Sequence, residues 1–229
     1  MNANKQLIKS MVDAHRFIDF NNQKHNNIQI VSAGKKLAIL STNGYILYIA
    51  EFDFKLRPFK IKLPALVVKK NLNIFKEATE LAFYSDHISL LNAGAETLNI
   101  QTEYVEYPYN YRIFFENPPA CVFNTKAKSL LQIKKYLDKG KELLPLYITV
   151  NNDKVMLHND NVSIIPEHTD VTGSGSVKID AKKLYKILMH ASMKGNIKIE
   201  LYINKFGDYE HNYLYLKSNY VSTLLASIR

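Results

Sequence analysis

Cysteine is nearly missing from this chain, with Cys121 the single one in 229 residues. An intramolecular disulfide framework and a multi-cysteine zinc site are therefore excluded, and the usage fits a reducing, cytoplasmic setting. Arginine is scarce as well, confined to Arg16, Arg57, Arg112 and Arg229, so bidentate reading of guanine has few candidates. No run approaches the ~20 apolar residues that cross a bilayer, and no membrane partner is expected. The opening MNANKQLIKSMVDAHRF has no uninterrupted apolar stretch, so a signal peptide is not expected. H-E-x-x-H and G-x-x-x-x-G-K-[ST] do not occur.

What the chain does hold is positive charge. Lys and Arg number 30 against 21 Asp and Glu, a formal +9, with a pI near 9.3. Such a balance favours a polyanionic partner but speaks to association, not to fold. Hydrophobic residues at 47% and charged residues at 22% are ordinary for a globular chain, and the length suits two small domains or one large one.

The best boundary is Glu116-Asn117-Pro118-Pro119, because consecutive prolines cannot continue a helix and favour extended backbone. It predicts domains at 1–117 and 118–229. Each half reads as helix, strands, helix, strands. In the first, Leu7, Met11, Ala14 and Ile18 form an apolar helical stripe, with Lys5, Lys9 and Asp13 at i+4 spacing on another. Strands are predicted at 28–33, 36–42 and 45–52, with Asn43-Gly44 as a two-residue hairpin turn. A helix over 64–79 opens on Pro64, and strands follow at 80–85, 87–92 and 97–106.

In the second half a helix is predicted over 125–141, capped by Asn124 or Thr125. Strands follow at 146–151 and 154–159, with an edge strand at 162–168 containing Pro166. Thr172-Gly-Ser-Gly-Ser176 reads as a flexible turn, since it lacks the lysine and helix of a phosphate loop. A helix over 180–193, capped by Asp180 and stopped by Gly195, buries Leu184, Ile187, Leu188 and Ala191. Strands at 197–204, 212–218 and 222–229 end the chain. The class is α+β, with the architecture repeated between halves.

The excess charge belongs to the helices. Candidate cations are Lys5, Lys9 and Arg16 on the first, Lys69, Lys70 and Lys76 on the second, Lys128, Lys135 and Lys139 on the third, and Lys182, Lys186 and Lys194 on the fourth. On the fourth, Lys182, Lys186, His190 and Lys194 stand at successive i+4 spacings opposite the apolar stripe. A lysine-rich helix face is ordinarily just a solvated face; four such helices in matching positions favour a shared anionic partner. Lysines neutralise phosphates as mobile point charges and read no sequence, which fits a duplex backbone.

Enzyme chemistry finds little support. His158, Asp160 and His168 lack the paired spacing of a metal site, and Cys121, beside the proline pair, reads as a small buried residue. The tyrosines lie mostly in strand-like segments, where propensity accounts for them. A metal-dependent nuclease would need a spaced carboxylate cluster, and none is evident.

Taken in order, these segments resemble the bacterial sliding clamp, the β subunit of the replicative DNA polymerase, and specifically its second and third domains. Ser41-Thr-Asn-Gly-Tyr-Ile-Leu47 is similar to the clamp hairpin A-T-D-G-H-R-L, and Tyr107-Pro-Tyr-Asn-Tyr-Arg112 to its F-P-D-Y-R-R segment. Leu146 to Val155 resembles the strand pair after a first helix. Thr172 to Asp180, followed by Leu184 and Leu188, resembles the start of the second. Leu225-Ala-Ser-Ile-Arg229 is similar to the M-P-M-R-L tail.

The resemblance implies two clamp-type domains, each with two helices packed on antiparallel sheets, and a ring with basic helices lining its hole. It implies double-stranded DNA as partner, no cofactor, and binding of DNA polymerase and clamp-loader peptides in an apolar pocket whose matching positions are Leu47, Ala226 and Ile228. A two-domain chain would need three copies to supply six domains, so a homo-oligomer, a trimer, is expected. The alternative is a clamp-fold scaffold that binds nucleic acid or protein without closing a ring. The hairpin His-Arg of the family is Tyr45-Ile46 here, which removes a charge.

Overall fold

Alternating apolar residues lay down the first sheet. In the computed structural model, which describes residues 3–106, 110–137, 143–160, 162–191, 193–206 and 209–228, helix α1 (Ala3–Ala14) is followed by strands β1 (Asn27–Ser32), β2 (Lys36–Thr42) and β3 (Ile46–Asp53). Ile28, Ile30, Leu37, Ile39 and Ala50 are fully buried. The hairpin forms at the expected place but not as a two-residue Asn43-Gly44 loop: β3 starts at Ile46, and the Asn43 amide donates to the Ile46 carbonyl at 3.3 Å across the Gly44-Tyr45 tip. Of Asn43 and Gly44 only Gly44 takes positive φ, +85°, and the Asn43 carboxamide oxygen accepts from the amides of Tyr45 and Ile46 at 3.1 and 2.8 Å. Strand β4 (Phe59–Pro64) pairs antiparallel with β1. It alternates too, with Ile61 and Leu63 inward and Lys60 and Lys62 outward, and was not among the expected strands.

After β4 the chain crosses through α2 (Ala65–Lys70) and α3 (Leu72–Glu77) to a three-stranded sheet of β5 (Glu80–Phe83), β6 (His87–Asn92) and β7 (Ala95–Gln101), then returns as β8 (Glu103–Tyr104) beside β4. The continuous helix expected over 64–79 is broken at Asn71, which leaves helical backbone (φ −112°, ψ 27°) while its side-chain amide donates to the Val67 carbonyl at 2.8 Å. An asparagine side chain competing for the backbone explains the break.

The second unit repeats this plan in the reverse order of sheets. Strand β9 (Cys121–Lys126) precedes α4 (Ala127–Leu130) and a 3₁₀ segment Leu131–Tyr136. Then come β10 (Pro145–Asn151), β11 (Lys154–Asn159) and β12 (Val162–Ile164), and next β13 (His168–Gly173) beside β9. Strand β14 (Gly175–Asp180), beside β10, leads into α5 (Ala181–His190) and the meander β15 (Asn196–Phe206), β16 (Tyr209–Ser218) and β17 (Val221–Ala226). The strand before each helix lies in the sheet that the other helix feeds. So β4 pairs with β1, β9 with β15 and β14 with β10. One strand–helix–meander module thus recurs within and between units.

Two expectations in this unit are corrected. The helix expected over 125–141 is a strand end followed by a short helix. Cys121, Phe123 and Thr125 alternate inward on β9, and the Thr125 hydroxyl donates to the Glu167 carbonyl at 2.6 Å instead of capping. The flexible turn expected at 172–176 is sheet. Gly173 has φ +74°, and a Cβ there would stand 2.2 Å from the Ala120 carbonyl oxygen, so the glycine is required by close approach of two strands.

The compact units are Met1–Asn110 and Tyr111–Arg229. The division falls ahead of Pro118-Pro119 because the turn Tyr111–Phe115 packs on the second unit's own sheet. Phe114 meets Tyr213 edge-on, and Phe115 meets Tyr202 and Tyr215. Beneath it the Tyr202 hydroxyl donates to Glu200 at 2.7 Å, and burial together with that carboxylate pushes the Tyr202 phenol well above its usual range. Among the described residues no helix is long and apolar enough to cross a membrane.

Candidate nucleic-acid interface

Ten of the twelve expected cations lie on helical segments, six in the first unit and four in the second. In the first unit α1 packs against α2 and α3, and the 3₁₀ turn His15–Phe17 packs against α2. This brings together the elements that carry Lys5, Lys9, Arg16, Lys69, Lys70 and Lys76. Lys5, Lys69, Lys70 and Lys76 are exposed, Lys9 and Arg16 half-buried. Asp13, expected on the same row as Lys5 and Lys9, is buried. The reason is geometric: with 3.6 residues per turn, each step of four advances about 40° around the helix, and the row rotates into the core.

The layer is anchored from below. Leu7, Met11, Ala14 and Phe17 are fully buried. Phe17 stacks on Tyr48 of β3 with ring centroids 5.5 Å apart. Beyond it Phe20, 38% exposed, lies under the Lys69 ammonium, 4.7 Å from ring centroid to Nζ. Sequence reasoning missed Phe20; its only signal was an aromatic residue just past a helix end.

In the second unit α5 packs on the 3₁₀ segment Leu131–Tyr136, which places Lys182 and Lys186 in the same layer as Lys135, with Lys128 on α4. Asp180 caps α5 as expected, accepting from the Lys182 amide at 3.0 Å. Lys128 and Lys135 are exposed, while Lys182, Lys186 and His190 are half-buried, and burial pulls the Lys186 pKa down. The most exposed side chain on α5 is instead Met189, at 50%. The helix ends at His190, so Lys194 lies beyond it, exposed but off the row. Lys139 lies outside the described residues, as do Tyr107 to Tyr109 and Arg229.

Three lysines on the strands are ion-paired. Lys126 pairs with Glu167 at 2.8 Å and Lys62 with Glu103 at 2.9 Å, while Lys198 pairs with Glu200 at 2.6 Å. The Lys126–Glu167 contact raises the ammonium's pKa and lowers the carboxyl's. Among the described residues no three His, Cys, Asp or Glu side chains gather to hold a metal. His158 instead meets the Thr149 hydroxyl at 3.0 Å and stacks on Tyr147, while His168 contacts the Asp153 and Pro166 carbonyls. Cys121 is buried, and burial pushes its thiol up to about 11.

The whole described chain superposes on bacterial replication proteins of known structure. The Bacillus subtilis DNA polymerase sliding clamp matches with a TM-score of 0.77 at 10% identity, covering 99% of this chain and 63% of the clamp. The Thermotoga maritima DNA polymerase III β subunit matches at 0.71 and 16% identity, covering 99% and 64%. The Pseudomonas aeruginosa β subunit matches at 0.73 and 12%, covering 100% and 65%.

The chain has the bacterial sliding-clamp fold.

It spans just under two thirds of the length of those three proteins. No protein-family model matches it, and no curated protein matches it in sequence, so the likeness resides in the fold. The positions expected to form a peptide pocket sit on clamp-fold strands or beside them. Leu47 is buried on β3, Ala226 ends β17, and the Ile228 amide donates to the Lys178 carbonyl of β14 at 2.9 Å. Ala226 and Ile228 are half-buried.

Proposed function

We propose that this protein is a non-enzymatic DNA clamp, with one clamp-type domain per unit, that encircles duplex DNA without reading sequence and tethers a polymerase. The observation that carries the reading is the placement of cations. In each unit exposed lysines stand on the helical segments of a sliding-clamp fold, Lys5, Lys69, Lys70 and Lys76 in the first and Lys128 and Lys135 in the second. On the sheets Lys62, Lys126 and Lys198 are matched by carboxylates, and Lys36, Lys154 and Lys217 are exposed. Such a layer releases counterions from a phosphate backbone and permits sliding. Tethering then raises the polymerase's effective concentration at the template.

Two clamp-type domains per chain make three copies the natural number for six domains around DNA. Head-to-tail contacts close when the rotation fits, and the edge strands β7 and β12 offer open backbone groups for joining copies. Leu47, Ala226 and Ile228 supply apolar contacts for polymerase and loader peptides. Light scattering behind size exclusion tests the ring: a trimer at micromolar concentration is expected. Strict monomers, with or without DNA, overturn the ring and favour a clamp-fold scaffold. So does binding to linear DNA that survives with free ends as well as it does on closed circles.

A further inference from the structure

We infer that Phe20 is a positioning residue for the DNA-facing layer, holding the Lys69 ammonium where a phosphate would meet it. This inference rests on the DNA-clamp reading. The Lys69 Nζ stands 4.7 Å from the Phe20 ring centroid, inside the ~6 Å range in which a ring quadrupole attracts a cation. A lysine on a solvated face samples many rotamers, and fixing one costs entropy. An aromatic platform lowers that cost without neutralising the charge, as a carboxylate would.

The platform is itself fixed. Phe20 follows Asp19 in a turn closed by the Asn22 amide on the Asp19 carbonyl at 3.2 Å, and the Asp19 carboxylate accepts from the Asn21 amide at 3.0 Å. The turn hangs from Phe17, which is fully buried against Tyr48. The chain therefore runs from the sheet through Phe17 to Phe20 and on to a cation of α2, a different element. With Phe20 38% exposed, its burial alone does not account for an aromatic residue here, and its replacement should leave the core intact.

The experiment compares wild type, Phe20→Leu, Phe20→Tyr, Lys69→Ala and the Phe20→Leu/Lys69→Ala double variant. A fluorescein-labelled DNA duplex at low salt is the probe. Phe20→Leu should weaken binding about threefold when Lys69 is present and have no effect when it is absent, and Phe20→Tyr should bind like wild type. In the protein alone, the Lys69 ε-methylene protons should be shifted upfield by the ring in wild type and Phe20→Tyr, and not in Phe20→Leu. Wild type that fails to bind DNA overturns the clamp reading and this inference with it. Binding that weakens on Lys69→Ala but ignores Phe20→Leu overturns the inference and spares the reading. An equal effect of Phe20→Leu in both Lys69 backgrounds, no effect of Lys69→Ala, a Tyr variant as weak as Leu, or no upfield shift in wild type each overturns it as well.

Discussion

The Ser41 hydroxyl, wholly buried on β2, donates to the Ala14 carbonyl at the end of α1 at 2.7 Å. It ties the junction between the first basic helix and the 3₁₀ turn His15–Phe17 to the sheet beneath it. Ser41→Ala removes the donor and leaves that carbonyl buried without it. The expected loss is about 1–2 kcal/mol of stability, measured by urea unfolding. A change under a few tenths would mean that the contact is not made.

Gly173 makes the same kind of claim about backbone. Its φ of +74° already disfavours any side chain, and a Cβ would come within 2.2 Å of a main-chain oxygen that cannot swing away. Gly173→Ala should cost several kcal/mol, on the order of 3. Gly34→Ala is the control, with φ +84° but open space around it, and should cost about 1 kcal/mol. Equal effects at the two sites would show that strand approach at Gly173 is not tight.

Much of this fold was readable in advance wherever one periodicity dominated. The place of the hairpin at Asn43-Gly44, the Asp180 cap and the buried stripe Leu184, Ile187, Leu188, Ala191 all follow from local rules. Reading failed where a strand runs directly into a helix. In Cys121–Lys126 the inward pattern is that of a strand, yet the expected helix opened at Thr125, on the strand's own end. Glycines at 173 and 175 read as flexibility because sequence does not reveal that Ala120 and Ile203 press against them. The candidate cations were legible as types. Their exposure was not, since whether Lys186 or Met189 faces out depends on how α5 is rolled on its sheet.

Cys121 is held neutral by burial up to about pH 11. An aromatic disulfide reagent at pH 8 should therefore label native protein only as fast as it opens, and denatured protein at once. The linkage sign follows. A thiol whose folded pKa is raised favours folding below its unfolded pKa, near 8.5, and loses that advantage as pH climbs toward 11. Stability of wild type relative to Cys121→Ala should therefore fall across that window. A flat difference, or rapid native labelling, would place the thiol in water.

The last prediction separates phosphate contacts from solvated charge. Each of Lys69→Ala, Lys70→Ala, Lys182→Ala and Lys186→Ala should lower the slope of log affinity against log salt by up to about one, because each lost contact leaves counterions in place. Lys194→Ala should do less, since Lys194 lies past the end of α5. Lys126→Ala should leave the slope alone, because Glu167 already answers its charge. Lys186 adds a pH signature. Burial lowers its pKa, so it sheds its proton before the exposed lysines do, and the gap between wild type and Lys186→Ala should narrow as pH rises from 7 toward 10. Slopes unchanged in all four helix variants would return these lysines to an ordinary solvated face, and a gap that stays constant with pH would remove Lys186 from the interface while leaving Lys69, Lys70 and Lys182 in it.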